Sequence, residues 1–342
     1  MDILSFQEAL DATEVTEGAR HTLLGNGFSI SWRPELFAYA SLYEKAELSG
    51  LLPGKQELFE ALDTKDFERV MEHLGTGSRL AELYKAHPNV VSRLASDIDV
   101  VRHGLADVIS QVHPDTRFSL PDAEADSARE FLANFESIFT LNYDLLLYWT
   151  LLRDTSIHAT DFRDGFQWPT YEVRNALVWK ESVAESVQNL HYLHGALHYF
   201  QQGGVLHKLH YGRDPLLTQI REAILNGEHP LVVTEGTTAE KRARIETHEY
   251  LRFCRSALAT AQGSMFIHGA SLSPNDDHVW QVIEGRASRI DHIYVSVHGD
   301  PDGESAQQVV QRANLIATRR RSNGGARLQV QFYDANTAHV WR

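Results

Sequence analysis

Short apolar runs that end in glycine or in a polar turn recur along the chain, and they set its plan. His21–Leu24 is a brief apolar run closed by Gly25-Asn-Gly-Phe-Ser29, the pattern of a buried strand that enters glycines and then a helix. Ser137–Leu141 repeats it, closed by Asn142-Tyr-Asp144 with a helical run from Leu145 to Leu152 behind. Ser264–His268 is a third such strand and ends at Gly269. Leu190–Tyr199 and Val205–Tyr211 read as two strands joined at Gln201–Gly204. Leu231–Thr234, Ile290–Val297 and Leu328–Tyr333 complete the strand set. Helical spacing is expected over residues 1–20, Ala128–Asn134, Ala239–Ala261 (two helices), Asp276–Arg286 and Gln307–Arg319.

From Phe135 onward strands alternate with helices, which predicts an α/β fold: a doubly wound, mainly parallel, Rossmann-like sheet with helices on both faces. Right-handed crossovers would then place Gly25–Ser29, Asn142–Asp144 and Gly269–Ser271 along one sheet edge. The stretch Pro34–Val112 is mostly helical by spacing (Phe67, Val70, Leu74; Leu80, Leu83, Tyr84), with breaks at Gly50, Pro53 and Gly75–Gly77. It reads as a helical module, 34–112, inserted in a single domain spanning 1–342. Residues 113–127 form a polar connection, and 153–188 look like an insertion or a lid.

Composition narrows the classes. No stretch nears the roughly 18 apolar residues of a membrane span, and the N-terminus lacks a signal-peptide pattern, so a cytoplasmic protein is expected. The single cysteine, Cys254, excludes disulfides within the chain and any cysteine-rich zinc module. A formal net charge of -14 disfavours non-specific nucleic-acid binding. The run Arg319-Arg320-Arg321 is either a solvated helix end or a local phosphate patch.

Four motifs carry candidate chemistry. Glycines after a strand let the backbone approach a phosphate, and a helix N-terminus offers amides to it, so Gly25, Asn26, Gly27, Phe28 and Ser29 are candidate nucleotide contacts. The alternative for that loop is a tight turn with Ser29 as a cap. Asn142 and Asp144 are suited to hold a ribose and position a water, or to cap the following helix. In the run Leu190–His198, His194 and His198 would share one strand face, and His194 ahead of Gly195 is a candidate base. A metal site using His194, His198, His207 and His210 is the rival, but their spacing does not suit a strand. In Phe266–Asp277, Gly269 and Ser271 are candidate ribose or phosphate contacts, while Asp276 or Asp277 reads as a helix cap.

In the order GNGFS, TLNYD, YLHGALH, HGASLSPNDD, these motifs resemble the ordered signatures of the Sir2-like superfamily. Val233–Thr238 and Tyr250–Cys254 further resemble a bacterial branch of it, the DUF4917 family, with the likeness covering roughly Thr22 to Trp280. The resemblance implies NAD as substrate or ligand. Gly25, Gly27, Phe28 and Ser29 would cradle the dinucleotide, and Asn142 would position the nicotinamide ribose and a water. Asp144 would support that site, His194 would be the base, and Gly269 and Ser271 would bind phosphates or the adenosine ribose. Asn26 departs from the usual Ala of that loop, and without the four-cysteine zinc module a protein deacetylase is not expected. The resemblance to zinc-free bacterial members of that superfamily implies an NAD hydrolase (NADase) acting in anti-phage defence, with a homo-oligomer or defence-system partner. A sensor that binds NAD or ADP-ribose without turnover, or an interaction protein using 34–112, is the alternative. Segments 34–112 or 153–188 would keep such an effector silent by blocking the pocket or driving oligomerisation.

Overall fold

The computed structural model describes residues 3–14, 18–37, 43–48, 50–51, 54–64, 67–112, 116–153, 162–169, 176–212, 215–226, 228, 230–233 and 238–342. Parts of several expected elements lie outside the described residues: 1–2 and 15–17 of the leading helix, 38–42, 49, 52–53 and 65–66 of the helical stretch, 113–115 of the polar connection, 154–161 and 170–175 of the insertion, and Thr234–Thr237.

The strands in chain order are β1 (Arg20–Leu24), β2 (Ser137–Thr140), β3 (Phe166–Gln167), β4 (Ala176–Trp179), β5 (Leu190–Tyr192) and β6 (Gly195–Gln202). β7 (Val205–Leu209), β8 (Pro230–Val232), β9 (Gln262–His268), β10 (Arg289–Val297) and β11 (Gln329–Asp334) follow. Six of them form one sheet in the order β11-β10-β9-β1-β2-β5, and every pairing in it is parallel. Helices flank this sheet, so its central strands are buried on both sides; β1 is buried from His21 through Leu24, a continuous run and not an alternation. From β1 the chain moves outward through β2 to β5; it then returns beside β1 as β9 and moves the other way to β11. The strand order thus reverses between β1 and β9, the place at which such a sheet forms a crevice outside its carboxyl ends.

A second sheet was not foreseen. Its order is β3-β4-β7-β6-β8, and its pairings are antiparallel. The described parts of 153–188 are β3, β4 and a helix at Glu181–Val187, so this segment builds the second sheet. The expected single strand Leu190–Tyr199 is instead two strands in different sheets. The cause is Gly195, at φ +75, where an added Cβ would lie 1.9 Å from the Leu231 carbonyl oxygen. The chain turns there, and β8 closes against β6. His194 and His198 consequently do not share a strand face.

The Pro34–Val112 stretch is mostly helical where described; its longest helices are Phe67–Leu83, which runs unbroken through the expected break at Gly75–Gly77, and Pro88–Val112. Their apolar faces (Phe67, Val70, Leu74, Val101, Leu105) join a core with Leu145 and Trp149 and with Leu197 and Phe200 of the second sheet. A separate, larger core fills the parallel sheet around Phe139, Phe266, Ile267 and Tyr294. Among the described residues no helix is long and apolar enough to cross a membrane.

Candidate functional site

The carboxyl ends of β1, β2, β5 and β9 meet around a cavity of about 560 Å³. Gly25, Asn26, Gly27, Asn142, Asp144, His194, Gly269 and Ser271 all line it. Phe28 and Ser29 lie beneath its wall, fully buried. Of the described residues of 34–112 only Phe37 reaches the cavity, and no described residue of 153–188 does.

The glycine loop is built differently from its phosphate-cradle reading. The Gly25 amide donates to the His268 carbonyl at 2.9 Å and the Gly27 amide to the Gly269 carbonyl at 2.8 Å. Those of Phe28 and Ser29 donate back to Gly25 and Asn26. A Cβ on Gly25 would lie 2.5 Å from the Ala270 Cα, and one on Gly27 would lie 2.7 Å from the Gly269 Cα. Glycine is thus required because two loops pack backbone against backbone, which engages the Gly25 and Gly27 amides. Among the described residues nothing accepts a hydrogen bond from the Asn26, Ala270 or Ser271 amide, so both loops bring unpaired amides to the cavity.

Ser29 is not a cap, and it is fully buried behind the cavity lining. It sits inside the Gly27–Trp32 helix, and Asn26 occupies the N-cap position without a side-chain cap bond. The Ser29 hydroxyl donates to Asp144 Oδ2 at 2.5 Å and accepts from Asn142 Nδ2 at 3.2 Å. Asp144 Oδ1 in turn accepts from the Leu146 amide at 2.9 Å, at the start of the Leu146–Leu152 helix. The Asn142 amide donates to Thr140 Oγ1 at 3.0 Å. The chain Asn142–Ser29–Asp144 therefore locks the turn after β2 to the helix after β1, and the asparagine side chain is fixed at the cavity wall.

His194 stands in the turn between β5 and β6, and its carbonyl accepts from the Val233 amide at 2.9 Å. Its Nε2 lies 2.9 Å from His278 Nε2 and 3.8 Å from Asp276 Oδ1. Burial pushes His194 down to about 3, helped by the Lys241 ammonium and opposed by the Leu141 backbone. Burial, then the neighbouring His194, puts His278 at about 3 as well, with Asp276 acting in the other direction. Both rings are neutral at pH 7, the form in which a histidine accepts a proton. Asp276 corrects the sequence expectation of a helix cap: it stands at the N-cap of the Asp277–Glu284 helix but makes no side-chain cap bond. Its Oδ1 has no hydrogen bond and lies 3.5 Å from Lys241 Nζ.

His278 and Lys241 escaped the sequence reading. The available signal was the Asp276-x-His278 spacing at a helix start; nothing local marks Lys241, a buried lysine on the Thr238–Thr247 helix. Among the described residues His194, Asp276 and His278 are the one trio with metal-ligand geometry, their ligand atoms within 4.8 Å of one another. It includes none of His198, His207 and His210. His198 is instead buried, stacked on Tyr148 at 4.5 Å between ring centroids. At the trio itself, Lys241 already supplies the positive charge that a cation would bring to Asp276.

A second cavity of about 560 Å³ shares Gly27, Ile30, Gly269, Ala270, His298 and Ser305 with the first. It extends past the ends of β10 and β11, where Ser296 and Asn336 line it, to Trp341 near the C-terminus. The Arg319–Arg321 run lies apart, at the end of the Glu304–Ser322 helix. Arg319 pairs with Asp277 and Glu284, and Arg320 is buried and donates to the carbonyls of Ser288 and Ile290. Two of its three arginines are therefore structural.

Residues 22–341 match the model of a family described as a domain of unknown function, DUF4917. The chain belongs to that family. No curated protein matches it.

Proposed function

We propose that this protein binds NAD across the two joined cavities and cleaves its nicotinamide N-glycosidic bond. The observation that carries this reading is the topology. Counting only the parallel strands in chain order, the sheet runs 3-2-1-4-5-6, the order of Rossmann-like dinucleotide-binding folds, and their ligands bind where the strand order reverses. At that point the cleft holds the polar groups a dinucleotide needs: Asn142 and His194 at one end, the Ala270 and Ser271 amides in the middle, and Ser296 and Asn336 at the other. The nicotinamide ribose is assigned to the first end, the pyrophosphate to the loop after β9 and the adenosine to the second cavity. The Sir2-like assignment rests on the motif order and is supported by the placing of those motifs around one cavity.

Departure of nicotinamide leaves oxocarbenium character on the ribose. The site favours it by holding the ribose against a fixed Asn142 and by excluding bulk water. His194 Nε2 accepts a proton from a ribose hydroxyl or from the attacking water, and the imidazolium that forms lies 3.8 Å from the Asp276 carboxylate. A positioned base of this kind is worth about 100- to 10,000-fold in rate. A role in anti-phage defence follows from the resemblance alone. One observation favours the alternative of a sensor that binds without turnover: His194 Nε2, the nitrogen assigned as base, already lies 2.9 Å from His278 Nε2. Calorimetric titration with NAD beside an assay of nicotinamide release separates the two. Binding with release supports the hydrolase, binding without release supports the sensor, and absence of binding refutes both.

A further inference from the structure

Three side chains converge at the edge of the first cavity and bring electron-pair donors to one point. His194 Nε2 and His278 Nε2 face each other at 2.9 Å, and both residues are buried, at 3% and 1% exposure. Asp276 Oδ1 lies 3.8 Å from His194 Nε2 and has no hydrogen bond. All three ligand atoms lie within 4.8 Å of one another. They come from separate elements: His194 from the turn between β5 and β6, Asp276 and His278 from the start of the Asp277–Glu284 helix.

Two imidazole nitrogens and one carboxylate oxygen are the donor set of zinc and its neighbours, with bonds of about 2.0–2.2 Å. Two nitrogens on a tetrahedral ion then stand roughly 3.3 Å apart. The histidine pair has to open by about 0.4 Å, and the Asp276 oxygen has to close on His194 by about 0.5 Å, shifts that side-chain torsions supply. Whichever ring donates at the 2.9 Å contact, each can carry its single proton on Nδ1 and turn Nε2 to an ion. His194 and Asp276 line the cavity, whereas His278 is buried outside its lining, so an ion enters from the cavity and keeps its fourth position toward it. Lys241 Nζ is the competitor, 3.5 Å from the same Asp276 oxygen, and an ion has to displace it. Such a site suits a regulatory ion of moderate affinity better than a permanently held one.

We propose that His194, Asp276 and His278 form an inhibitory site for a divalent ion of the zinc class. An ion there takes the Nε2 lone pair of His194, which then cannot accept a proton from a ribose hydroxyl or from water. The inhibition rests on the NAD-hydrolase reading; the binding does not.

Binding is tested first, on the full chain without NAD. Titration with Co²⁺, followed by its visible absorption, should show an intense four- or five-coordinate species that Zn²⁺ displaces. The chain has 18 histidines, so the site is identified by what each variant loses. Affinity should fall about tenfold or more in His278→Gln and in Asp276→Asn, and persist in His210→Ala, which alters a histidine outside the trio. Lys241→Met removes the competing charge and should tighten binding about tenfold. If His278→Gln fails to fold, Asp276→Asn and Lys241→Met carry the test. A wild type with only a weak octahedral Co²⁺ signal, or unchanged affinity in a variant that keeps the wild-type urea midpoint, overturns the site. Zn²⁺ at a concentration that fills the trio should then suppress nicotinamide release about 100-fold or more, and a chelator should restore it. Full release with the trio loaded overturns the inhibition. Zn²⁺ held by the trio with no release even under chelator would sink the hydrolase reading, and the inhibition with it, and leave the ion site standing.

Discussion

Ser29→Ala is the sharpest probe of how the site is built. The substitution keeps the helix and changes almost no volume, but it removes the one atom that links Asn142 to Asp144. The hydroxyl donates to a buried carboxylate at 2.5 Å and accepts from a buried amide at 3.2 Å. A hydrogen bond to a charged group is worth about 1.5–3 kcal/mol and a neutral one about 0.5–1.5, so the expected loss is roughly 2–4 kcal/mol. Water cannot readily replace the hydroxyl, because Ser29 is 0% exposed. Urea unfolding measures the loss. A double-mutant cycle with Asn142→Ala locates it: the two residues share the hydrogen bond, so their effects should couple by about 0.5–3 kcal/mol. Nicotinamide release should also fall in Ser29→Ala although the serine touches no ligand, since Asn142 loses its tether. A loss below about 0.5 kcal/mol, or strict additivity with Asn142→Ala, would refute the lock.

Further outcomes follow from other contacts. Gly195→Ala should cost about 3 kcal/mol or more, because it sets a Cβ 1.9 Å from the Leu231 oxygen at a positive φ; a urea midpoint equal to wild type would contradict the described turn. Trp341→Ala should cost about 3–5 kcal/mol, since its indole donates to the Phe28 carbonyl at 2.8 Å and packs on the Phe28 ring; intact stability would show that the C-terminus does not seal this wall. Burial holds His191, His194 and His278 at about 3 and His268 at about 4, below the ordinary 6.5 of the unfolded chain. The unfolded state therefore takes up protons first, so stability is full above about pH 6.5 and falls as pH drops from there toward 4. At pH 5.5 these four groups together should cost on the order of 5 kcal/mol, and equal urea midpoints at pH 7.5 and 5.5 would contradict their burial.

The central strands β1, β2 and β9 were legible because each holds a buried run stopped by glycine or a polar turn, and burial on both faces demands such a run. The motifs at their ends were legible for the same reason, and they do converge. The second sheet was not. β3 and β4 are two and four residues long, and they sit in an aromatic, charged segment whose pairing is wholly non-local. The break at Gly195 was hidden because a run of apolar and histidine residues continues through it, and only the approach of Leu231 from a distant segment makes the turn necessary. For Gly25 and Gly27, sequence shows only that a glycine is present; that another loop packs beside each depends on tertiary contact. Lys241 and His278 were missed because their role depends on side chains brought together from residues 194, 241 and 276–278.

The central claim is tested most directly by nicotinamide release from NAD by the purified full chain, run beside His194→Ala and Asn142→Ala with folding checked by urea unfolding. The account predicts release by the wild type and a fall of about 100-fold or more in each variant, with stability largely kept. Release that persists in both folded variants would place the chemistry elsewhere, and a wild type that neither releases nicotinamide nor binds NAD would contradict the account outright.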